Sequence, residues 1–100
     1  MIEVRQIELF TKWFLKQTIE ARREIADNIN RLKKGNTSNL KLLRGGIVEL
    51  KIHYGKGIRI YMIKKNNVFY ILLWGADNKT KQTEDIEKAI QIKKFMEGLK

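Results

Sequence analysis

The sequence predicts a small single domain of the α+β class over residues 1–100, with an N-terminal helical hairpin, a central antiparallel sheet and a C-terminal helix. Three observations predict this fold class. Apolar residues recur at helical spacing in the first third of the chain. Apolar and polar residues alternate between Val48 and Met62, as they do in half-buried strands. A polar loop, Gly75–Gln82, then precedes a second region of helical pattern.

The chain begins with a predicted short strand and a short helix. Ile2–Gln6 alternates apolar and polar residues, which is typical of a strand. Phe10, Trp13 and Phe14 follow at helical spacing and predict a helix from about Glu8 to Gln17. We expect these aromatic rings to pack between the helix and the sheet.

A second helix is predicted to begin after Thr18, whose hydroxyl can accept a hydrogen bond from the first helical turn. Ile25, Ile29 and Leu32 lie at i, i+4 and i+7 and so form one apolar face. Gly35–Asn36 supplies the residue types at which helices commonly end. The two helices together predict a helical hairpin.

The middle of the chain predicts four strands. Leu40–Leu43 is short, while residues 48–54 and 58–62 form a hairpin around a three-residue loop, 55–57. Val68–Trp74 is apolar on both faces, so we expect a central strand that is covered on each side.

The last predicted element is a helix that begins at Thr83. Glu84 and Asp85 suit the positive end of its dipole. Its apolar face is supplied by Ile86, Ala89, Ile90, Met96 and Leu99.

Positive charge is concentrated in one stretch of the sequence. Arg31–Lys65 holds ten lysines and arginines and one acidic residue, Glu49, so it carries +9 of the net charge of +10. The same stretch holds the single histidine, His53. Such a charge predicts a polyanionic partner, with nucleic acid first, an acidic protein second and an anionic membrane surface third.

Other features of the sequence indicate the cellular compartment in which we expect the protein. The sequence has no cysteine, which excludes disulfides and cysteine-based zinc sites and fits a reducing environment. Met1–Ile7 lacks the apolar run of a signal peptide, and the longest apolar run, Val68–Trp74, is too short to cross a bilayer. We therefore expect a soluble cytoplasmic protein.

The predicted hairpin gathers polar side chains on one face of the sheet. With a loop at 55–57, His53 lies opposite Arg59 and Lys51 lies opposite Tyr61. Directly opposed residues share a face, so these four side chains form a basic square. We expect Arg59 to be exposed on this face, so that its loss would change stability little.

Cleavage of RNA by its own 2′-hydroxyl could use these side chains. The reaction needs a base, an acid and cations that stabilise the phosphorane. Arg59 suits a phosphate clamp, Lys51 and His53 are candidates for the proton transfers, and Tyr61 could stack on a base or orient the phosphate. No metal or other cofactor is required. The same pattern also fits a solvated basic face with no catalytic role.

The order of these motifs matches that of a known superfamily. The segments "GNTSNLKLLRGGIVELKIHYGKGIRIY" and "LLWGADNKTKQTEDI" resemble the RelE/ParE toxin superfamily, and within it the HigB-like branch of phage-derived addiction-module killer proteins. The resemblance covers almost the whole chain. It implies a small, partly mixed antiparallel sheet that cradles the two N-terminal helices. It also implies a ribosome-dependent mRNA endonuclease that cuts message in the A site, inhibited by an antitoxin that is often a small helix-turn-helix protein.

The resemblance also implies roles for individual residues. The catalytic arginine of the family falls on Arg59, and its basic strand residues fall on Lys51 and His53. The lysine of the family's polar loop falls on Lys79 when Asn78 is treated as an insertion. With Tyr61 these make the candidate catalytic set. The candidate RNA-binding residues are Lys33, Lys34, Lys41, Arg44, Lys56, Lys81 and Gln82.

Two other functions remain open from the sequence. One is a ParE-like inhibitor that binds DNA gyrase without catalysis, and the other is a non-catalytic RNA-binding module. The basic square favours the nuclease, since a gyrase inhibitor has no need for four such side chains on one face. The sequence leaves open which residue is the general acid and which is the base.

Overall fold

The computed structural model describes residues 2–66, 69–76 and 81–98, and it places one five-stranded sheet between two layers of helix. A short 3₁₀ turn, Arg44–Gly46, precedes the third strand. In chain order the elements are β1 (Glu3–Gln6), α1 (Glu8–Leu15), α2 (Ile19–Lys33), β2 (Leu40–Leu42), β3 (Val48–Ile52), β4 (Ile58–Lys65), β5 (Phe69–Ala76) and α3 (Gln82–Gly98).

The sheet is mixed and has the strand order β1-β5-β4-β3-β2. β2 to β5 pair antiparallel with their neighbours, and β1 adds to β5 in parallel. The predicted α+β class is therefore confirmed, as is the interior position of the strand predicted at Val68–Trp74. The prediction that both faces of this strand are covered concerns Val68 and side chains of β5 that lie outside the described part of the structure.

The helical hairpin forms as predicted, with one boundary shifted. The Thr18 hydroxyl accepts a hydrogen bond from the Ala21 amide at 3.1 Å and so caps α2. The first helix ends at Leu15 rather than Gln17, because the amides of Lys16 and Gln17 bond to carbonyls only three residues back and tighten the last turn. At the end of α2, Gly35 adopts a φ of 99°, the left-handed conformation in which helices commonly stop.

One face of the sheet packs against this hairpin. Phe10 from α1 and Ile25 and Leu32 from α2 are buried there, and Ile29 packs at the margin. The apolar residues that alternate along the β3–β4 hairpin all point to this face: Val48, Leu50, Ile52, Ile58, Ile60 and Met62. The prediction of an apolar hairpin face is confirmed.

The opposite face of the sheet carries a second core, which lies under α3. Ala89 and Ile90 of α3 are buried against Ile47, Tyr61 and Ile63. Ile86 and Met96 pack beside them, as predicted, while Leu99 lies outside the described residues. α3 begins one residue before the predicted Thr83. Among the helices described, none is long and apolar enough to cross a bilayer.

Gly75 in β5 provides a test of how tightly α1 packs on the sheet. A Cβ atom at this position would fall on ring carbons of Trp13, so no side chain fits without moving the indole. We expect Gly75→Ala to lower the free energy of unfolding by about 1–3 kcal/mol, the usual effect of overpacking a filled core. Urea denaturation measures the change.

Gly98→Ala is the matched control, because a Cβ atom there meets open space at the end of α3. Alanine favours helix over glycine, so this variant should be equally stable or slightly more stable than the wild type. Equal stability of the Gly75→Ala and Gly98→Ala variants would contradict the close packing of Trp13 on β5.

Candidate functional site

The β3–β4 hairpin has a different register from the one predicted. Lys51 lies opposite Arg59, and Glu49 lies opposite Tyr61. The predicted pairs of His53 with Arg59 and of Lys51 with Tyr61 are therefore wrong. The strands are joined by a five-residue loop that starts at His53, rather than by a three-residue loop.

The loop geometry explains the error. The Tyr54 amide donates to the Ile52 carbonyl at 3.0 Å, and the Gly57 amide donates to the Tyr54 carbonyl at 2.9 Å, so the chain leaves the ladder after Ile52. Gly55 and Gly57 have φ values of 58° and 95°, which suit glycine and allow this wider turn. The pairing shifts by two residues, and since side chains alternate with a period of two, every residue that stays within β3 and β4 keeps its predicted face.

Arg59 is buried, which corrects the expectation that it is exposed. Its side chain is 6% exposed, and its Nε lies 3.5 Å from Oε2 of Glu49, whose side chain is also 6% exposed. The same Glu49 oxygen accepts a hydrogen bond from Nε2 of Gln82 at 2.8 Å. Because Gln82 is the first residue of α3, the start of that helix lies against the ion pair.

Tyr61 is buried completely and belongs to the second core. Its predicted role in stacking on a base is wrong in this structure, since no ring face is accessible to RNA. Burial, reinforced by the negative charge of Glu49, raises the pKa of the Tyr61 phenol well above its usual value. Burial thus favours the neutral form of this phenol.

Three of the predicted catalytic residues, Lys51, His53 and Arg59, line a depression at the loop end of the hairpin. Its volume is about 410 Å³, and it is lined by Lys51, His53, Tyr54, Gly55, Lys56, Gly57 and Arg59. His53 and Lys56 are exposed, and Lys51 is half-buried. Nε and Nη1 of Arg59 donate no hydrogen bond within the part of the chain described, although both atoms are buried. A cationic rim above a guanidinium with unused donors suits a phosphate group.

The basic stretch of the sequence does not form one surface. Lys41 in β2 lies opposite Glu49 and so shares the face of Lys51. Lys64 and Lys65 lie at the far end of β4. Lys65 is six residues from Arg59, which corresponds to about 20 Å along the strand. The charge that faces the depression is thus only part of the +9.

The other predicted RNA-binding residues are dispersed. Lys33 and Lys34 lie where α2 ends, and the Lys33 carbonyl accepts from the Ile2 amide beside β1, at the opposite edge of the sheet from β2. Arg44 forms an ion pair with Glu87 of α3 at 2.5 Å. Lys81 is exposed just before α3, and Lys79 lies outside the described residues.

Two residues of the site have roles that sequence reasoning missed. Gln82 was predicted to bind RNA, but it is half-buried and bonded to Glu49. Glu49 was noted only as the single acid of the basic stretch. Its position as the one acid on the polar side of the predicted hairpin, beside Lys51 and Arg59, was the available signal that it pairs with a cation.

Removal of Arg59 should destabilise the protein, contrary to the sequence-based expectation. Arg59→Ala leaves the buried Glu49 carboxylate without its cation, and breaking a buried ion pair in this way typically lowers stability by about 3–5 kcal/mol. Urea denaturation followed by circular dichroism measures the change.

Two controls accompany this prediction. Lys56→Ala, on the exposed loop, should change stability by no more than about 0.5 kcal/mol. The double variant Glu49→Leu/Arg59→Met removes both charges and should regain most of the missing stability. If Arg59→Ala unfolds at the same urea concentration as the wild type, the pair contributes nothing to the fold.

Comparisons with known proteins identify a fold and a family. No protein-family model matches the sequence. The chain is similar in structure to a chain of the intact E. coli RelBE toxin–antitoxin complex, with a TM-score of 0.63 and 16% identity over 77% of this chain and 96% of that chain. It is also 37% identical to an uncharacterized protein of Haemophilus influenzae (strain ATCC 51907 / DSM 11121 / KW20 / Rd) over 89 residues, 88% of this chain and 89% of that protein. The protein therefore has a RelE-like fold, as predicted, and belongs to the same family as the Haemophilus influenzae protein.

Proposed function

We propose that this protein is the toxin of a type II toxin–antitoxin module, of the HigB-like branch, and that it cuts mRNA on the ribosome. The observation that carries the proposal is the cationic depression at the end of the β3–β4 hairpin, where Lys51, His53 and Lys56 surround Arg59. The similarity in fold to a chain of the RelBE complex supports it.

The proposed reaction uses the 2′-hydroxyl of the RNA as the nucleophile. The 2′-oxygen bonds to the adjacent phosphorus, the bond from phosphorus to the next 5′-oxygen breaks, and a cyclic phosphate and a 5′-hydroxyl result. One side chain takes the 2′ proton and another supplies a proton to the 5′-oxygen. Lys51 and His53 are the candidates for these transfers, since both line the depression.

Arg59 is the proposed phosphate ligand. Its guanidinium is already oriented, and its unused donors can bond to phosphate oxygens whose charge grows in the transition state. Lys41, Lys56 and Lys81 are proposed to hold the RNA on either side. Lys79 stays a prediction for this site.

The proposed partners follow from charge and fold. A net charge of +10 favours ribosomal RNA and message as ligands and an acidic protein as the inhibitor. We propose that the inhibitor is an antitoxin, a small helix-turn-helix protein, and that the pair acts in the cytoplasm.

A second candidate function is a non-catalytic RNA-binding module. The observation that favours it is the ion pair, because Glu49 offsets the charge of Arg59 that a transition state would use. Binding without cleavage would then be the outcome. A measurement that detects cuts rather than occupancy separates the two functions.

Primer extension on message from a translation extract is such a measurement and tests the nuclease. We expect the wild-type protein to produce cuts only in translated message. Lys51→Ala and His53→Ala should each reduce the cleavage rate, by about 10²–10⁴-fold for a residue that transfers a proton. Lys64→Ala, at the far end of β4, is the matched control and should cut normally.

The pH profile then separates the roles of the two residues. A general base must be unprotonated to act, so a wild-type enzyme that uses His53 in this role should become slower as the pH is lowered. His53→Ala should lose this dependence, while Lys51→Ala should retain it. If translated message stays intact in the extract, the nuclease function is contradicted, and the non-catalytic RNA-binding module is the candidate function that remains.

Binding to RNA should depend on where charge is removed, not only on how much. Lys41→Gln/Lys56→Gln removes two charges near the depression, and we expect it to weaken binding to single-stranded RNA. The slope of log K against log salt should fall by about 0.7 for each phosphate that the variant no longer neutralises. Fluorescence anisotropy at several salt concentrations measures both quantities.

Lys64→Gln/Lys65→Gln is the matched control, since it removes the same charge at the opposite end of β4. It should bind RNA almost as the wild type does. Equal weakening by the two double variants would show that binding follows net charge alone and does not involve the depression.

A further inference from the structure

We propose that Glu49 and Gln82 are positioning residues, which hold the Arg59 guanidinium so that it can take up a phosphate group in the hairpin depression. The inference rests on the proposed function for its RNA ligand. The position of the guanidinium itself can be tested with phosphate alone.

The contacts form a chain from α3 to the depression. Gln82 Nε2 donates to Glu49 Oε2 at 2.8 Å, and the same oxygen lies 3.5 Å from Arg59 Nε. Nη1 of Arg59 lies on the side of Gly57, since a Cβ atom built at that glycine would be 3.5 Å from it. Gly57 lines the depression. One side of the guanidinium therefore faces the carboxylate, and another lies at the depression.

Arg59 and Glu49 do not make the hydrogen bonds that an arginine and a carboxylate usually form with each other. A carboxylate that served only to neutralise a buried arginine would be expected to accept two parallel hydrogen bonds from it. Here the closest approach is 3.5 Å, and neither Nε nor Nη1 has a hydrogen-bond partner among the described residues. Buried charged donors without partners are costly, so an anion that supplied acceptors at Arg59 would be bound favourably.

Gln82 explains why Glu49 does not close on Arg59. The carboxylate oxygen nearest Arg59 is already held by the Gln82 amide, which is fixed in turn by its place in the first turn of α3. Glu49 thus screens the buried charge, while the guanidinium keeps donors free for a ligand. Without the amide, Glu49 is free to approach Arg59 and to compete with phosphate for the same donors.

Gln82→Met tests this arrangement with little risk to the fold, since Gln82 is only half-buried and methionine has a similar length. Gln91→Met, at an exposed position of α3, is the matched control. The Arg59 Nε–H signal is observed by NMR on the full chain labelled with ¹⁵N-arginine, and it is assigned by its disappearance in Arg59→Lys. Inorganic phosphate is then titrated into each protein.

We expect phosphate to shift the Arg59 signal in the wild type and in Gln91→Met. In Gln82→Met the signal of the free protein should move, and phosphate should bind roughly threefold to tenfold more weakly, as for the loss of one hydrogen bond. Unfolding midpoints in urea should be similar for the two methionine variants. A purely structural Gln82 would change the midpoint and leave phosphate affinity alone.

An unmoved Arg59 signal with unchanged phosphate affinity in Gln82→Met overturns the inference, whatever the protein does to RNA. A wild-type Arg59 signal that does not respond to phosphate overturns it as well. If the variant behaves as expected but the wild type leaves translated message intact, the positioning of Arg59 is supported and the proposed nuclease function fails.

Discussion

The ion pair of Glu49 and Arg59 is the interaction on which the arrangement of the site depends. Two charged side chains lie inside the sheet–helix layer, where an unpaired charge would be strongly unfavourable. Each therefore requires the other. Through Gln82 the pair also contacts the start of α3, so the site and the C-terminal helix are parts of one structure.

The ion pair lies where the apolar packing between the sheet and α3 ends. The hairpin of α1 and α2 covers one face of the sheet, and α3 covers the other only as far as its first residue, Gln82. On that second face, Ile63 and Tyr61 of β4 pack under α3. Arg59 lies on the same face, two residues before Tyr61 in the sequence. The strand thus passes from apolar packing to a cationic depression within a few residues, and the charged group nearest the core is the one that carries a counter-ion.

Most elements of the fold could be predicted from the sequence because each has a local signal. The cap at Thr18 and the alternating pattern of the hairpin are examples, and both are confirmed. The register was not predictable in this way, since a shift of two residues preserves the face of every side chain. The burial of Arg59 and Tyr61 depends on a helix that begins more than twenty residues later. No local pattern in β4 indicates that this helix packs over the strand. The resemblance to a known superfamily indicated Arg59 but could not show its counter-ion.

The cationic side chains of the depression differ in their exposure to solvent, and this difference decides which kind of contact with a polyanion each of them suits. Lys56 is exposed, so salt at physiological strength screens its attraction within about 8 Å. The Arg59 guanidinium is almost free of solvent and is screened much less. Exposed lysines therefore suit the capture of a polyanion from solution, which is a long-range and salt-sensitive step. The buried arginine suits a short-range contact that only a correctly placed phosphate can make, because its few unused donors have fixed directions. For the RNA ligand of the proposed function, selectivity for one phosphate along the chain would then depend on the burial of a single cation, not on the size of the net charge.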